Sequence, residues 1–325
     1  MIRWGILGTG SIAHSFAKGL AALPDAQLHA VGSRAQETAD AFGAQFSVPN
    51  CYPSYDALVA DPGIDVIYVA TPHTSHCENT IRCLEAGKHV LCEKPFALNA
   101  GQAQQMIAAA GERELFLMEA MWTRFVPALV KTREWLNSGT IGPVRALFCD
   151  MGFRTQFDSS SRLYDPKLGG GALLDLGVYP VSLASMVLGA HPVETAALAQ
   201  LGKTGVDEDC VVTLKYESGA LATAHCTIGA RTPAEALVIG EAGSIRVHAP
   251  FYAATAATLR HSNGEAEEVQ IPLTGNGYNY QAAAVMDCLR ASELQSSVMP
   301  LDESLAIMQL LDRLRAQIGL VYPGE

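Results

Sequence analysis

Along the first third of the chain, short apolar runs alternate with segments whose apolar residues recur at helical spacing. Arg3–Leu7, Leu28–Gly32, Val66–Ala70 and His89–Cys92 are brief, apolar and bounded by turn residues, which predicts buried strands. Between them, Ser11–Ala21, Gln36–Phe42, Ser54–Ala60 and Ser75–Ala86 carry the period of one-faced helices, with Ser54 and Ser75 at N-cap positions. Strand, helix and strand in repetition imply a parallel sheet with helices on both faces, because parallel neighbours require a crossover connection.

The rhythm changes after Met118-Glu119-Ala120-Met121-Trp122. A helix is expected over Pro127–Asn137, a strand over Val144–Met151, and a glycine-rich entry to another helix near Gly169. Hairpin signals follow: Val211–Tyr216 with Ala220–Thr227, Ala236–Ile239 with Ser244–Val247, and Thr258–His261 with Glu267–Ile271, each pair joined by a short glycine-bearing turn. Helices Tyr280–Arg290 and Leu301–Ile318 close the chain. The expected fold class is α/β: a doubly wound parallel domain over residues 1–121, then an α+β domain with a large, mainly antiparallel sheet over 122–325.

Composition narrows the function classes. With 22 basic against 33 acidic residues, the net charge of −11 argues against a nucleic-acid partner, which needs clustered Lys and Arg. No run approaches the roughly 18 consecutive apolar residues that span a bilayer, and the N-terminus lacks the apolar core of a secretory signal, so no membrane partner and a cytoplasmic location are expected. The eight cysteines show no C-x-x-C pair or zinc-site spacing and read as reduced core residues.

Gly8-Thr9-Gly10-Ser11-Ile12-Ala13 is a G-x-G-x-x-A turn directly after the first strand and before a helix. Gly8 permits the tight turn, Gly10 lets a pyrophosphate approach the backbone, Ala13 lets helix and strand pack, and the helix start at Ser11 and Ile12 offers free N–H groups. At the end of the second strand stand Ser33 and Arg34, where an NAD-selective site carries Asp or Glu. A hydroxyl and a guanidinium suit a 2′-phosphate, so NADP is the expected cofactor with NAD as the alternative; a solvated surface arginine is the plainer reading.

Ligands in such sheets bind beyond the carboxyl ends of the strands. Two ends carry unusual residues: Thr71-Pro72-His73-Thr74-Ser75-His76, and Glu93-Lys94-Pro95. Glu93 and Lys94 put two charges beside the cofactor site, although on residue types alone a surface ion pair is the more natural reading. His73 and His76 lack a third ligand, so ribose or nicotinamide contacts, or helix capping, are favoured over a metal. In Gly169-Gly170-Gly171-Ala172-Leu173-Leu174-Asp175-Leu176-Gly177-Val178-Tyr179-Pro180, Asp175 and Tyr179 are four apart and share a helix face. Pro180 should kink that helix. The pair forms either a pocket wall or a structural hydrogen bond in the core.

Together, Gly8–Ala13, Glu93-Lys94-Pro95, Met118–Phe125, Gly169–Tyr179 and Met299–Ser304 resemble the Gfo/Idh/MocA oxidoreductase family. Within it they are most similar to the branch of dimeric dihydrodiol dehydrogenases and NADP-dependent D-xylose dehydrogenases. The resemblance implies a catalytic pair of Lys94 and Tyr179 supported by Asp175, a substrate pocket with Trp122, Arg145 and Phe153, and a homodimer formed through the face of the antiparallel sheet. Two departures concern the substrate: Met151 stands where an aromatic is expected, with Phe153 two residues on, and Gln200 or Leu201 stands where an arginine is expected.

The chemistry implied is hydride transfer between nicotinamide and a carbinol or carbonyl carbon of an aldose, trans-dihydrodiol or related small molecule, with Tyr179 as acid/base. A free phenol titrates near ~10, and the Lys94 ammonium would lower that value. A non-catalytic NADP-binding regulator and a glycosidase using bound nicotinamide share the fold and remain alternatives.

Overall fold

The computed structural model describes residues 1–325. The chain divides into two compact units, Met1–Trp122 with Thr274–Leu305, and Thr123–Leu273 with Ala306–Glu325.

In the first unit, strands β1 (Ile2–Leu7), β2 (Ala26–Gly32), β3 (Asn50–Tyr52), β4 (Val66–Val69), β5 (His89–Glu93) and β6 (Leu117–Ala120) form one sheet in the order β3-β2-β1-β4-β5-β6. Every pairing is parallel. Helices α1 (Ser11–Leu20), α2 (Gln36–Phe46), α3 (Tyr55–Val59), α4 (His76–Glu85) and α5 (Ala100–Glu112) connect them. Strand order reverses between β1 and β4, the switch point at which this architecture binds ligands. Ser54 caps α3 by accepting from the Ala57 amide at 3.1 Å, as expected. Ser75 stands at the N-cap position of α4, as the last residue of a 3₁₀ turn, His73–Ser75, but its side chain makes no capping bond.

The second unit contains α6 (Pro127–Asn137), β7 (Val144–Gly152), α7 (Val178–Leu188), and the strands β8 (Glu194–Leu201), β9 (Asp207–Lys215), β10 (Leu221–Thr227), β11 (Ala236–Gly240), β12 (Gly243–Val247), β13 (Ala256–His261) and β14 (Ala266–Gln270). They form an eight-stranded sheet, β14-β13-β12-β11-β7-β10-β9-β8, antiparallel except for β7 beside β10. One face, including Leu147, Val212, Leu214, Ala222 and Val238, is buried. Pro166–Leu188 is long and apolar enough to cross a membrane by length and hydropathy, but 83% of its apolar window is buried inside the protein, where a core helix belongs.

The partition departs from the single break expected after residue 121. Helix α8 (Tyr278–Arg290) belongs with the first unit, and α9 (Leu301–Ile318) begins there and ends in the second. The reason is close packing of α8 on α1. A Cβ on Gly19 would lie 2.7 Å from Asn276 Oδ1, so the glycine lets the segments approach. Asn276 Nδ2 then donates to the Ser15 carbonyl at 2.7 Å, and Arg290 pairs with Asp25.

Candidate active site

The glycine turn lies at the switch point. Gly8 adopts φ +104°, and a Cβ there would meet the Ala70 carbonyl oxygen at 2.9 Å, so both the turn and the approach of β1 to the end of β4 exclude side chains. Gly10 differs: its φ is −72°, and a Cβ would meet nothing within 4 Å. Its hydrogen faces open space at the start of α1, with Ser11 exposed and Ala13 buried behind. That is the space a pyrophosphate would need at a helix N-terminus. Beside it, Ser33 Oγ lies 3.3 Å from Thr9 Oγ1 and 2.6 Å from Thr38 Oγ1, which donates to the Ala35 carbonyl. Arg34 next to this hydroxyl cluster is exposed. The residues present fit a dinucleotide.

At the ends of β4 and β5, His76 joins the two loops. Its Nδ1 lies 2.8 Å from the Pro95 carbonyl oxygen and its Nε2 2.9 Å from that of Thr71. Burial pushes its pKa down, and the Lys94 charge adds to that effect, against the pull of the carbonyls. The ring is wholly buried, so the expectation of a direct cofactor contact by His76 is replaced by a strap between loops. His73 and Thr71 are buried beside it, Thr71 Oγ1 accepting from Asn79 Nδ2 at 3.3 Å. Glu93 is buried too; it accepts from the Tyr68 hydroxyl and from the Lys94 amide at 3.1 Å. Glu93 therefore anchors the Lys94 backbone from a buried position. The Lys94–Pro95 bond is cis.

In the second unit, the segment carrying Asp175 and Tyr179 is helical but not regular. Leu173–Gly177 forms a π-helical turn that runs into α7 at Val178. Pro180 lacks an N–H and its ring would crowd the Leu176 carbonyl in a regular helix, and the wider turn relieves this. The kink expected at Pro180 is accordingly a π turn. Asp175 is buried, and the Arg162 guanidinium grips it in bidentate fashion, Nη1 to Oδ1 at 3.0 Å and Nη2 to Oδ2 at 3.2 Å. Tyr179 is buried with its ring tilted against Tyr252, centroids 5.9 Å apart. Arg124 braces α7 just beyond, donating to the Ser182 hydroxyl at 3.0 Å and carbonyl at 2.8 Å.

Three further expected residues fall in different places. Trp122 stacks on Tyr278 with ring centroids 4.4 Å apart. Phe153, partly exposed, follows β7 and donates its amide to the Thr227 carbonyl at 3.1 Å. This end of the sheet adjoins the π turn, for a Cβ on Gly177 would lie 2.9 Å from Cys226 Sγ, and Cys226 pairs with Met151. Arg145 is at the other end of β7. Six residues, roughly 20 Å of extended chain, separate it from Met151, and it is exposed and paired with Glu241. The expectation that it lines the same pocket is therefore corrected: the strand's length carries it away.

Similarity to known proteins now bears on this geometry. The sequence profile of Gfo/Idh/MocA, an oxidoreductase family with an NAD-binding Rossmann fold, matches residues 2–121, and that of the family's C-terminal domain matches 129–246. The chain belongs to the Gfo/Idh/MocA oxidoreductase family. It is similar to trans-1,2-dihydrobenzene-1,2-diol dehydrogenase from Mus musculus, at 38% identity over 100% of this chain and 99% of that protein; the Danio rerio protein of the same name is also 38% identical over the same shares. Among solved structures, a 3-ketoreductase from Actinomadura kijaniata in complex with NADP and TDP-benzene is 27% identical, with a TM-score of 0.87 over 98% of each chain. Levoglucosan dehydrogenase, 18% identical with a TM-score of 0.90 over 98% of this chain and 97% of that one, shares the fold.

As a Gfo/Idh/MocA oxidoreductase, the chain holds neighbours of the site that sequence reasoning misses. Arg162 lies in a polar loop with no motif around it, and Tyr252 in a short turn after Pro250, so neither has a local signal. Arg124 carries no chemistry in its spacing. The buried cysteines Cys83, Cys92, Cys149 and Cys226 have thiols pushed up, by burial in the first three and in Cys226 chiefly by the Cys210 thiol, which suits inert core residues.

Proposed function

We propose that the enzyme is an NADP(H)-dependent dehydrogenase/reductase acting on the CH–OH group, or the matching carbonyl, of a trans-dihydrodiol, aldose or related small polyol or dicarbonyl. The observation that carries this reading is the buried π turn bearing Asp175, which runs into the helix carrying Tyr179, in a chain whose first unit has the glycine turn of a dinucleotide site. The names of the similar relatives, diol dehydrogenases from mouse and zebrafish, support the substrate class. The nicotinamide supplies hydride acceptance and donation. Tyr179 removes the carbinol proton in oxidation and returns it in reduction, with the Lys94 ammonium favouring the phenolate. Asp175, neutralised by Arg162, positions rather than transfers protons. Gly8, Gly10, Ser11, Ile12, Thr71, Pro72, His73 and Glu93 shape the cofactor site, and Trp122 and Phe153 contribute to the substrate pocket.

The test is turnover by the purified protein, followed by nicotinamide absorbance, with NADP⁺ against trans-diols and aldoses and with NADPH against dicarbonyls. Turnover with a diol or aldose is expected; no cofactor turnover with any of them overturns the reading.

Cofactor choice rests on Ser33, Thr38 and Thr9, whose hydroxyls cluster beside exposed Arg34. These groups suit a 2′-phosphate, and a solved relative at 27% identity is in complex with NADP. Arg34→Ala is expected to weaken NADP⁺ binding by about tenfold or more while leaving NAD⁺ affinity within about twofold, because one charge-assisted pair to phosphate is lost. Equal losses for both cofactors would reject the assignment.

We also propose that the enzyme is a homodimer through the open face of the large sheet. The register puts Leu198, Val211, His225 and Asp150 in one row and Phe148 beside Thr223 on the same face. On that face Leu198 is 80% and Phe148 50% exposed, and Val211 and Leu221 are exposed as well, an apolar patch unusual for a monomer. Phe148→Glu with Val211→Glu is expected to convert a dimer into a monomer in sedimentation, and an unchanged mass would exclude this face. The unpaired thiols of all eight cysteines suit a reducing, cytoplasmic setting.

A further inference from the structure

Asp207 is a buried carboxyl that the proposed chemistry does not use. It opens β9, has no exposed surface, and lies under the entry to the π turn. Its Oδ2 accepts from the Leu173 amide at 2.7 Å, the first residue of that turn. Its Oδ1 is so close to Gly171 that a Cβ there would lie 2.2 Å from it; Gly171, at φ +115°, is a position that only glycine suits. Oδ1 itself has no side-chain hydrogen-bond partner. One side chain thus clamps the start of the segment that, two and six residues later, carries Asp175 and Tyr179.

We infer that Asp207 is a positioning residue: its carboxylate holds the backbone at Leu173, fixes the π turn, and through it sets where Asp175 and Tyr179 stand, and the hold tightens when the carboxyl ionises. The inference rests on reading Tyr179 as the acid/base. The physical basis is the greater strength of a hydrogen bond to a charged acceptor, together with the sensitivity of proton transfer to misplacement on the ångström scale.

The groups facing Asp207 decide when it ionises. Burial opposes the charge and pushes its pKa up to about 7, against the amides of Leu173, Asp207 itself and Ala172 and the attraction of Arg315. The Arg315 guanidinium is shared with Asp312 and Glu325, which weakens its pull. Tyr322, whose hydroxyl donates to the Gly170 carbonyl at 2.6 Å, and Cys226 on β10 face the same carboxyl; both are held neutral. Asp175 lies farther along and is offset by Arg162. Below about 7 the carboxyl is therefore protonated and its hold on Leu173 is that of a neutral acceptor; above it, that of a carboxylate.

Backbone hydrogen exchange of the full chain over residues 171–178, corrected for intrinsic rates, tests this between pH 6 and 8. Protection in the wild type is expected to rise by about fivefold with pH, the difference between a neutral and a charged acceptor, and to be flat in Asp207→Asn. In parallel, the limb of kcat near pH 7 should vanish in Asp207→Asn while KM for NADP⁺ stays within about twofold. Flat protection in the wild type, or a variant that keeps the wild-type limb, overturns the inference. The wild-type pH series needs no variant, so a poorly folding Asp207→Asn leaves it decisive. Exchange also separates the two readings: turnover by Tyr179→Phe sinks the acid/base assignment, whereas the clamp stands or falls on amide protection.

Discussion

Tyr179→Phe is expected to lower kcat by about 10²–10⁴-fold while the dissociation constant for NADP⁺ changes by no more than about twofold. The substitution removes one oxygen and keeps the ring that packs against Tyr252 within the buried start of α7. Packing is conserved, so a loss confined to kcat reports proton transfer and not collapse of the helix. The measurement is steady-state turnover on the best substrate of the panel, with cofactor affinity from fluorescence quenching. A variant that turns over at the wild-type rate removes Tyr179 from the chemistry; one that loses cofactor affinity as well has lost structure.

The second large effect is a contrast between two glycines of one turn. Gly8→Ala is expected to destabilise the protein without any cofactor present, by about 2–3 kcal/mol, because a left-handed φ and a 2.9 Å approach to the Ala70 carbonyl act together. Gly10→Ala is expected to leave thermal stability unchanged, since its Cβ would meet nothing within 4 Å and its φ of −72° suits any residue. Its cost should appear only on binding: about 10–100-fold weaker affinity for NADP⁺, as a methyl group intrudes where the pyrophosphate must approach the backbone. Denaturant unfolding and titration calorimetry separate the two effects. Unchanged affinity in Gly10→Ala would mean that the phosphates lie elsewhere.

Much of this architecture is legible in the sequence because it depends on short-range chemistry. The G-x-G-x-x-A turn can be read from residue order alone, since Gly8, Gly10 and Ala13 each answer a local steric demand of a strand–turn–helix unit. The hairpins are legible from their turn residues. Strand β8 escapes such reading: Glu194–Leu201 is rich in alanine, a weak strand former, and its pairing with β9 supplies what propensity lacks. Helix α5 escapes it too, despite Asn99, whose side chain accepts from the Gln102 amide at 2.9 Å, a cap that the sequence does display.

The candidate site divides along the same line. Motif alone nominates Lys94, Asp175 and Tyr179 but not their supports, because those arise from contacts between distant segments. Arg162 reaches Asp175 from 13 residues back along the chain, and Asp207 reaches Leu173 from a strand 34 residues away. His76 can be singled out as a histidine near the strand ends, yet whether it faces a ligand or the core depends on two loops meeting over it.

By itself, then, the order of residues determined the two types of sheet, the nucleotide turn and the residue types available for redox chemistry, because periodicity, turn sterics and helix-end electrostatics act over a few residues. Only the folded chain decided that Thr274–Leu305 returns to the first unit, that Arg145 lies most of a strand's length from the π turn, and that the buried Asp207 carboxyl accepts from the first amide of that turn. Those outcomes depend on which surfaces pack together, and burial and hydrogen-bond partners are properties of the packed whole.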